Sequence, residues 1–216
     1  MRERPEDFKG RSVDIDGQAE RRAALRSTLI IRTAKIRLDS GEYVCVLRDI
    51  SDTGVRLRLF HPLPASKTIC LEMPDGDCFD IEPVWTEGNC AGFRFLKPID
   101  VKAIISSHKD HPKRGLRVNL SHDAYIVHLG HTIRVRLVNL SQQGACIICD
   151  EFLAMDERID LYFDYLSEIK CTVRWRKEPH YGVCFGRTLA FAELATIVAA
   201  INHDEALHHP QADSNR

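Results

Sequence analysis

The chain has 216 residues, 44% of them hydrophobic and 28% charged, with a formal net charge of −1. This is the length of one or two domains and the composition of an ordinary folded globular chain. Residues 1–105 carry 17 basic and 17 acidic side chains and residues 106–216 carry 13 and 14, which excludes a global basic field for nucleic acid or anionic membranes.

In chain order, residues 1–18 are charged and patternless, and a flexible N-terminal segment is expected. They hold no apolar signal core, and no run approaches the roughly 20 apolar residues of a membrane span, so a cytoplasmic location and no membrane insertion are expected. Residues 28–38 alternate as a strand, Asp39-Ser-Gly41 supplies a turn, and residues 42–50 return as its hairpin partner. Residues 54–60 alternate apolar and basic, a strand with one wet face. Residues 69–73, 79–85 and 91–95 add three short strands, and residues 99–109 carry apolar side chains at helical spacing. The same plan returns as strands at 118–128, 131–138, 145–151, 158–166, 168–175 and 181–185. A closing helix follows at about 190–202, with a stripe of Phe191, Leu194, Ile197, Val198 and Ile201 that can cover a barrel. From residue 204 onward a disordered tail is expected.

The return is a true repeat. Asp49-Ile-Ser51-Asp-Thr-Gly54 recurs as Asn139-Leu-Ser141-Gln-Gln-Gly144, ninety positions on, followed in one register by Trp85 and Trp175, Gly92 and Gly182, Phe95 and Phe185. So long a period favours tandem domains over a solenoid, whose units run to roughly 20–50 residues. Aromatic residues at matching points of two β domains read as core, so both tryptophans are expected inside. Gly54 and Gly144 are expected to permit a tight turn or a positive φ.

The eight cysteines lie in apolar, strand-like stretches and read as buried or half-buried hydrophobes of a reducing compartment. Cys146 and Cys149 have metal-site spacing, but on a strand an odd separation sends them to opposite faces, so no metal is expected. His128 and His131 flank a hairpin turn at Gly130 and read as surface residues. No Ser-His-Asp arrangement, Walker loop or HExxH is present, and the expectation is a protein without catalytic residues.

Two polar clusters remain. Arg21, Arg22 and Arg26 precede the first strand, and Asp49, Ser51 and Gly54 follow the second. In a hairpin these points lie at the same end. Guanidinium forks suit phosphate oxygens and stack on flat rings, and a carboxylate beside a hydroxyl can accept from guanine N1–H and N2–H. Together they suit a phosphorylated purine.

At these residues the chain resembles the PilZ domain family, bacterial receptors for cyclic di-GMP with RxxxR before a six-stranded barrel and [D/N]xSxxG after its second strand. The resemblance implies an all-β fold with short helices: two tandem six-stranded antiparallel barrels, each followed by a C-terminal helix. Residues 19–107 would form the first and 108–203 the second. It also implies non-catalytic binding of cyclic di-GMP by Arg22, Arg26, Asp49, Ser51 and Gly54, with Arg21 associated with an intercalated ligand pair. In the second copy Asn139, Ser141 and Gly144 match, but the lead reads Lys113-Arg114-Gly-Leu-Arg117. Lysine keeps the charge and loses the planar fork, so a weaker site or a scaffold is expected there. The implied protein is a receptor whose arginine loop orders on the ligand, changing its partner-facing surface or the geometry between the barrels. It would pass the signal to a downstream protein partner controlling motility, biofilm or polysaccharide output, with no DNA or RNA bound and no cofactor beyond the ligand. The alternative is a ligand-independent adaptor acting through protein contacts.

Overall fold

The computed structural model describes residues 31–106 and 115–208. The first six strands are β1 (Arg32–Leu38), β2 (Gly41–Ile50), β3 (Gly54–Arg58), β4 (Cys70–Glu72), β5 (Cys78–Glu87) and β6 (Cys90–Phe95), followed by helix α1 (Val101–Ser106). The second set is β7 (Arg117–His128), β8 (His131–Ser141), β9 (Gly144–Ile148), β10 (Arg158–Phe163), β11 (Leu166–Lys177) and β12 (His180–Phe185), followed by helix α2 (Phe191–His208). Each set closes into an antiparallel barrel, in the orders β1-β2-β3-β6-β5-β4 and β10-β11-β12-β9-β8-β7. Closure leaves no strand edge unpaired.

The period-2 pattern fills both interiors. In β3, Val55 and Leu57 point inward while Arg56 is exposed. Ile36, Leu47, Leu57 and Leu71 are fully buried in barrel 1, and Ile126, Leu137, Ile147 and Leu161 in barrel 2. Leu129 and Gly130, both at positive φ, make the two-residue turn between β7 and β8 that suits the strand twist. β3 ends at Arg58, short of the expected residue 60, because Phe60 leaves the sheet to pack edge-on against Phe191 with ring centroids 5.4 Å apart.

Several expectations are corrected. Trp85 and Trp175 are not core residues: they stand 41% and 42% exposed on the outer barrel surface. Cys78 is exposed, since it opens β5 on the outward face; the other cysteines are buried or half-buried. His128 is not a surface side chain, for its ring is enclosed and paired with Glu157. Residues 204–208 are not disordered tail but the last turn and more of α2. The expected flexible segment 1–18 and residues 209–216 lie outside the described residues.

Helix α2 explains its own length. Leu194, Ala195, Ile197, Val198 and Ile201 are buried and belong to the barrel 2 core, while Ala199 packs against the core of barrel 1. At the predicted end, Asn202, 2% exposed, donates from Nδ2 to the Glu42 carbonyl at 2.7 Å. A Cβ on Gly41 would lie 2.8 Å from Asn202 Cγ, so the helix seats directly on the β1–β2 hairpin.

The Glu42 side chain crosses between the barrels. Its Oε2 accepts from Lys35 Nζ at 3.0 Å and from the Asn119 backbone N–H at 2.8 Å, and its Oε1 accepts from Asn119 Nδ2 at 2.9 Å. Lys35 also meets Glu72 at 2.8 Å. Burial alone pulls the Lys35 ammonium toward neutrality, but its bonds to Glu72 and Glu42 outweigh that and raise its pKa. Buried charge of this kind persists only when paired and hydrogen-bonded.

Candidate ligand-binding sites

The motif turn after β2 is built from its own side chain. The Ser51 hydroxyl donates to the Gly54 carbonyl at 3.2 Å and accepts from the Gly54 N–H at 3.1 Å. Carbonyls inside the turn are tied to the end of β6 and the chain after it: Thr53 O accepts from Phe95 N and Asp52 O from Ile99 N, both at 3.0 Å. Barrel 2 repeats this. Ser141 Oγ donates to Gly144 O at 2.9 Å, and the carbonyls of Gln143 and Gln142 accept from Phe185 and Leu189, each at 2.8 Å. These bonds fix both turns before any ligand arrives.

Of the two expected reasons for glycine, the positive φ is found at neither Gly54 nor Gly144, but each closes a tight turn on its motif serine. Close approach adds to this: a Cβ would meet Phe93 O at 3.0 Å in barrel 1, a tight contact, and Val183 O at 2.2 Å in barrel 2, where only glycine fits. Gly92 and Gly182 serve the tryptophans. A Cβ on either would lie 2.1 Å or 1.9 Å from the indole Nε1 of Trp85 or Trp175, so each ring lies over bare backbone. A register irregularity just before each tryptophan turns it onto that face.

In barrel 1 the structure brings Asp49, Ser51 and Gly54 together with Arg56, Trp85 and Arg94 around a groove of about 420 Å³. Asp49 Oδ2 lies 3.9 Å from Arg56 Nη1, both side chains about half exposed. The Arg56 guanidinium stands 5.9 Å from the Trp85 ring centroid. Arg94 pairs with Glu82. Arg21, Arg22 and Arg26 lie outside the described residues, but β1 begins opposite Leu47, two positions from Asp49, so the chain enters the sheet at the motif end of the barrel.

In barrel 2, Arg117, Asn139, Ser141 and Gly144 meet Arg174 and Trp175 around a groove of about 370 Å³. Arg117 lies opposite Ser141 across the β7–β8 pair. Lys113 and Arg114 lie outside the described residues. The cations differ between the barrels. Cys146 and Cys184 stand at the register positions of Arg56 and Arg94, while Arg174 replaces Val84 beside the tryptophan. Burial pushes the Cys146 thiol pKa up, against the pull of Arg117. Arg174 is held by Asp156 at 2.7 Å.

Sequence reasoning missed Arg56, Trp85, Arg94, Arg174 and Trp175. The wet face of residues 54–60 carried the signal for Arg56. The pairing of each Trp with a glycine seven residues on carried that for the rings. Among the described residues no group of His, Cys, Asp and Glu could hold a metal ion, and no helix is long and apolar enough to cross a membrane.

Fold and site define a duplicated closed-barrel module with a polar turn and an exposed aromatic ring at one end. The PilZ domain model matches residues 20–107 and 111–203: the chain belongs to the PilZ domain family, whose members are cyclic di-GMP receptors. No curated protein matches the chain by sequence. Among solved structures it is similar to the Borreliella burgdorferi PlzA protein in complex with c-di-GMP, at 15% identity and TM-score 0.33, covering 77% of this chain and 86% of that one. It is also similar to the K. pneumonia MrkH–c-di-GMP complex (14% identity, TM-score 0.30, 91% and 94% covered). A third is Escherichia coli YcgR in complex with c-di-GMP (13%, 0.29, 83% and 87%).

Proposed function

We propose that this chain is a non-catalytic cyclic di-GMP receptor with its main site on barrel 1. The observation that carries it is the convergence, at one end of a closed barrel, of the Asp49 carboxylate, the fixed Ser51 turn and an exposed Trp85 ring. A flat ring on bare backbone is a platform for a base, and such stacking contributes about 1–3 kcal/mol per base. Asp49 accepts from the guanine Watson–Crick edge, and Arg22 and Arg26, with Arg21, bring guanidinium groups to the phosphates and the outer base face. Arg56, loosely held by Asp49, is free to turn toward a phosphate. Binding covers the groove and creates a new surface for a protein partner. The hydrogen-bonded Glu42 crossing favours a change of surface over a change of angle between barrels.

Barrel 2 offers a second, weaker site, with Arg117 and Arg174 flanking Trp175. An adaptor that binds no nucleotide is the second reading. It is favoured by the fact that both motif serines already serve their own turns.

Calorimetric titration of the full chain with cyclic di-GMP decides between them. Micromolar or tighter affinity, weakened about tenfold or more by Arg26→Ala or Asp49→Ala, supports the receptor. Undetectable binding by two methods supports the adaptor.

A further inference from the structure

We infer that Cys70 and Cys78 form a dithiol site for reversible oxidation by low-molecular-weight disulfides on the outer face of barrel 1. In the β4–β5 pair, Cys70 lies opposite Asp80 and Glu72 opposite Cys78, so the two cysteines are diagonal neighbours. Leu71 between Cys70 and Glu72 is fully buried, which turns both thiols outward. Arg37, opposite Cys70 on β1, donates from Nη1 to Cys78 Sγ at 3.7 Å. Cys78 is exposed and Cys70 half-buried, and neither lines a ligand groove.

The fold does not require thiols here. At the same diagonal of barrel 2, Asp160 lies opposite Lys170 and the partner position is Glu168. The two thiols also divide the work. Cys70 is the less exposed of the two, and burial pushes its pKa up to about 12, so Cys70 resolves second. Cys78 reacts first, with Arg37 placed to stabilise the sulfur anion as it forms.

Cys78 loses its proton and attacks one sulfur of the small disulfide, breaking that S–S bond and expelling one thiolate, which takes up a proton. Cys70 then loses its proton and attacks Cys78 Sγ in the mixed disulfide, expelling the second thiol. Two protein thiols are oxidised by two electrons, and one small disulfide is reduced to two thiols. Diagonal Cα atoms lie about 7–8 Å apart, beyond the usual 4.4–6.8 Å of a disulfide. Closure therefore draws the three-residue β4 toward β5, and a bridge under such tension is easily reduced again.

The test treats the full chain with stepped concentrations of glutathione disulfide, blocks free thiols, and maps the peptides by mass. The expected first product is a Cys70–Cys78 bridge that dithiothreitol reverses. Cys70→Ser is expected to stop at glutathionylated Cys78, and Cys78→Ser to leave Cys70 unmodified. Reaction first at Cys90 or Cys184, or a wild-type Cys78 adduct that never advances to a bridge, overturns the inference whether or not the serine variants fold.

Discussion

Asp39 shows how much a single carboxylate organises. It accepts from Thr68 Oγ1 at 2.7 Å, the Lys67 N–H at 2.8 Å and Ser66 Oγ at 2.9 Å, pinning the long loop after β3 to the β1–β2 turn. These donors, Thr68 first, lower its pKa from 3.8 to about 2. A depressed carboxylate stabilises the fold above its unfolded pKa and loses that contribution as pH falls through the folded one. Acid titration followed by circular dichroism should therefore show stability falling from about pH 3.8 toward 2, and Asp39→Asn should flatten that limb. The motif glycines make a second comparison. Gly144→Ala forces Cβ against a fixed carbonyl at 2.2 Å, whereas Gly54→Ala meets one at 3.0 Å. The first should lower the melting temperature clearly more than the second. Glycine was legible at both positions as a demand of the backbone. The close approach was not, because a distant strand leaves no mark in the local sequence.

At the scale of elements, periodicity located every strand of both barrels and the closing helix. It failed where a partner outside the element set the outcome. Trp85 reads as core because bulky aromatics usually bury, yet the irregularity between Pro83 and Trp85 sets it over Gly92. Gly92→Ala should push the indole off its seat and weaken cyclic di-GMP binding by the stacking contribution, roughly 1–3 kcal/mol. Calorimetry on a variant with unchanged circular dichroism would check it. Helix α2 ends late for a similar reason: its apolar stripe closes by Ile201, but Asp204, past the expected end, accepts from the Tyr165 hydroxyl between β10 and β11. Ending the chain at Leu189 would uncover both cores. At roughly 1.5–3 kcal/mol per buried aliphatic side chain, losing Leu194, Ile197, Val198 and Ile201 removes about 6–12 kcal/mol, comparable with the whole margin of a domain. No cooperative unfolding transition is expected of that truncation.

For the whole molecule, the carboxylate of Glu42 is the point where two copies of one domain become a single body. Replacing it by alanine removes the acceptor of both Asn119 donors and one of the two carboxylates that hold the buried Lys35 ammonium, a charged hydrogen bond that contributes about 1.5–3 kcal/mol. Because each barrel holds one tryptophan, Trp175→Phe and Trp85→Phe backgrounds report the barrels separately. In the intact chain both should unfold at one midpoint. With Glu42→Ala the two midpoints should part, and coincident midpoints would show that the crossing contributes little. The motifs that mark the ligand sites gave no sign of this crossing. A repeat reports what its copies share, and Glu42, Asn119 and Asn202 are where they differ.

The clamp of Asn202 on the first hairpin also sets an order in time. The Glu42 carbonyl and its partner amide are separated by 160 residues, and a ribosome adding about 5–20 residues per second takes on the order of 10–30 s to bridge that interval. For that period the emerging first barrel carries a hairpin shaped for a helix not yet made, with Val44 uncovered and the Glu42–Lys35 pair open to water. Synthesis thus passes through a stage in which half the protein awaits the other, and substitutions along this seam should depress soluble yield more than they depress the melting temperature of the finished chain.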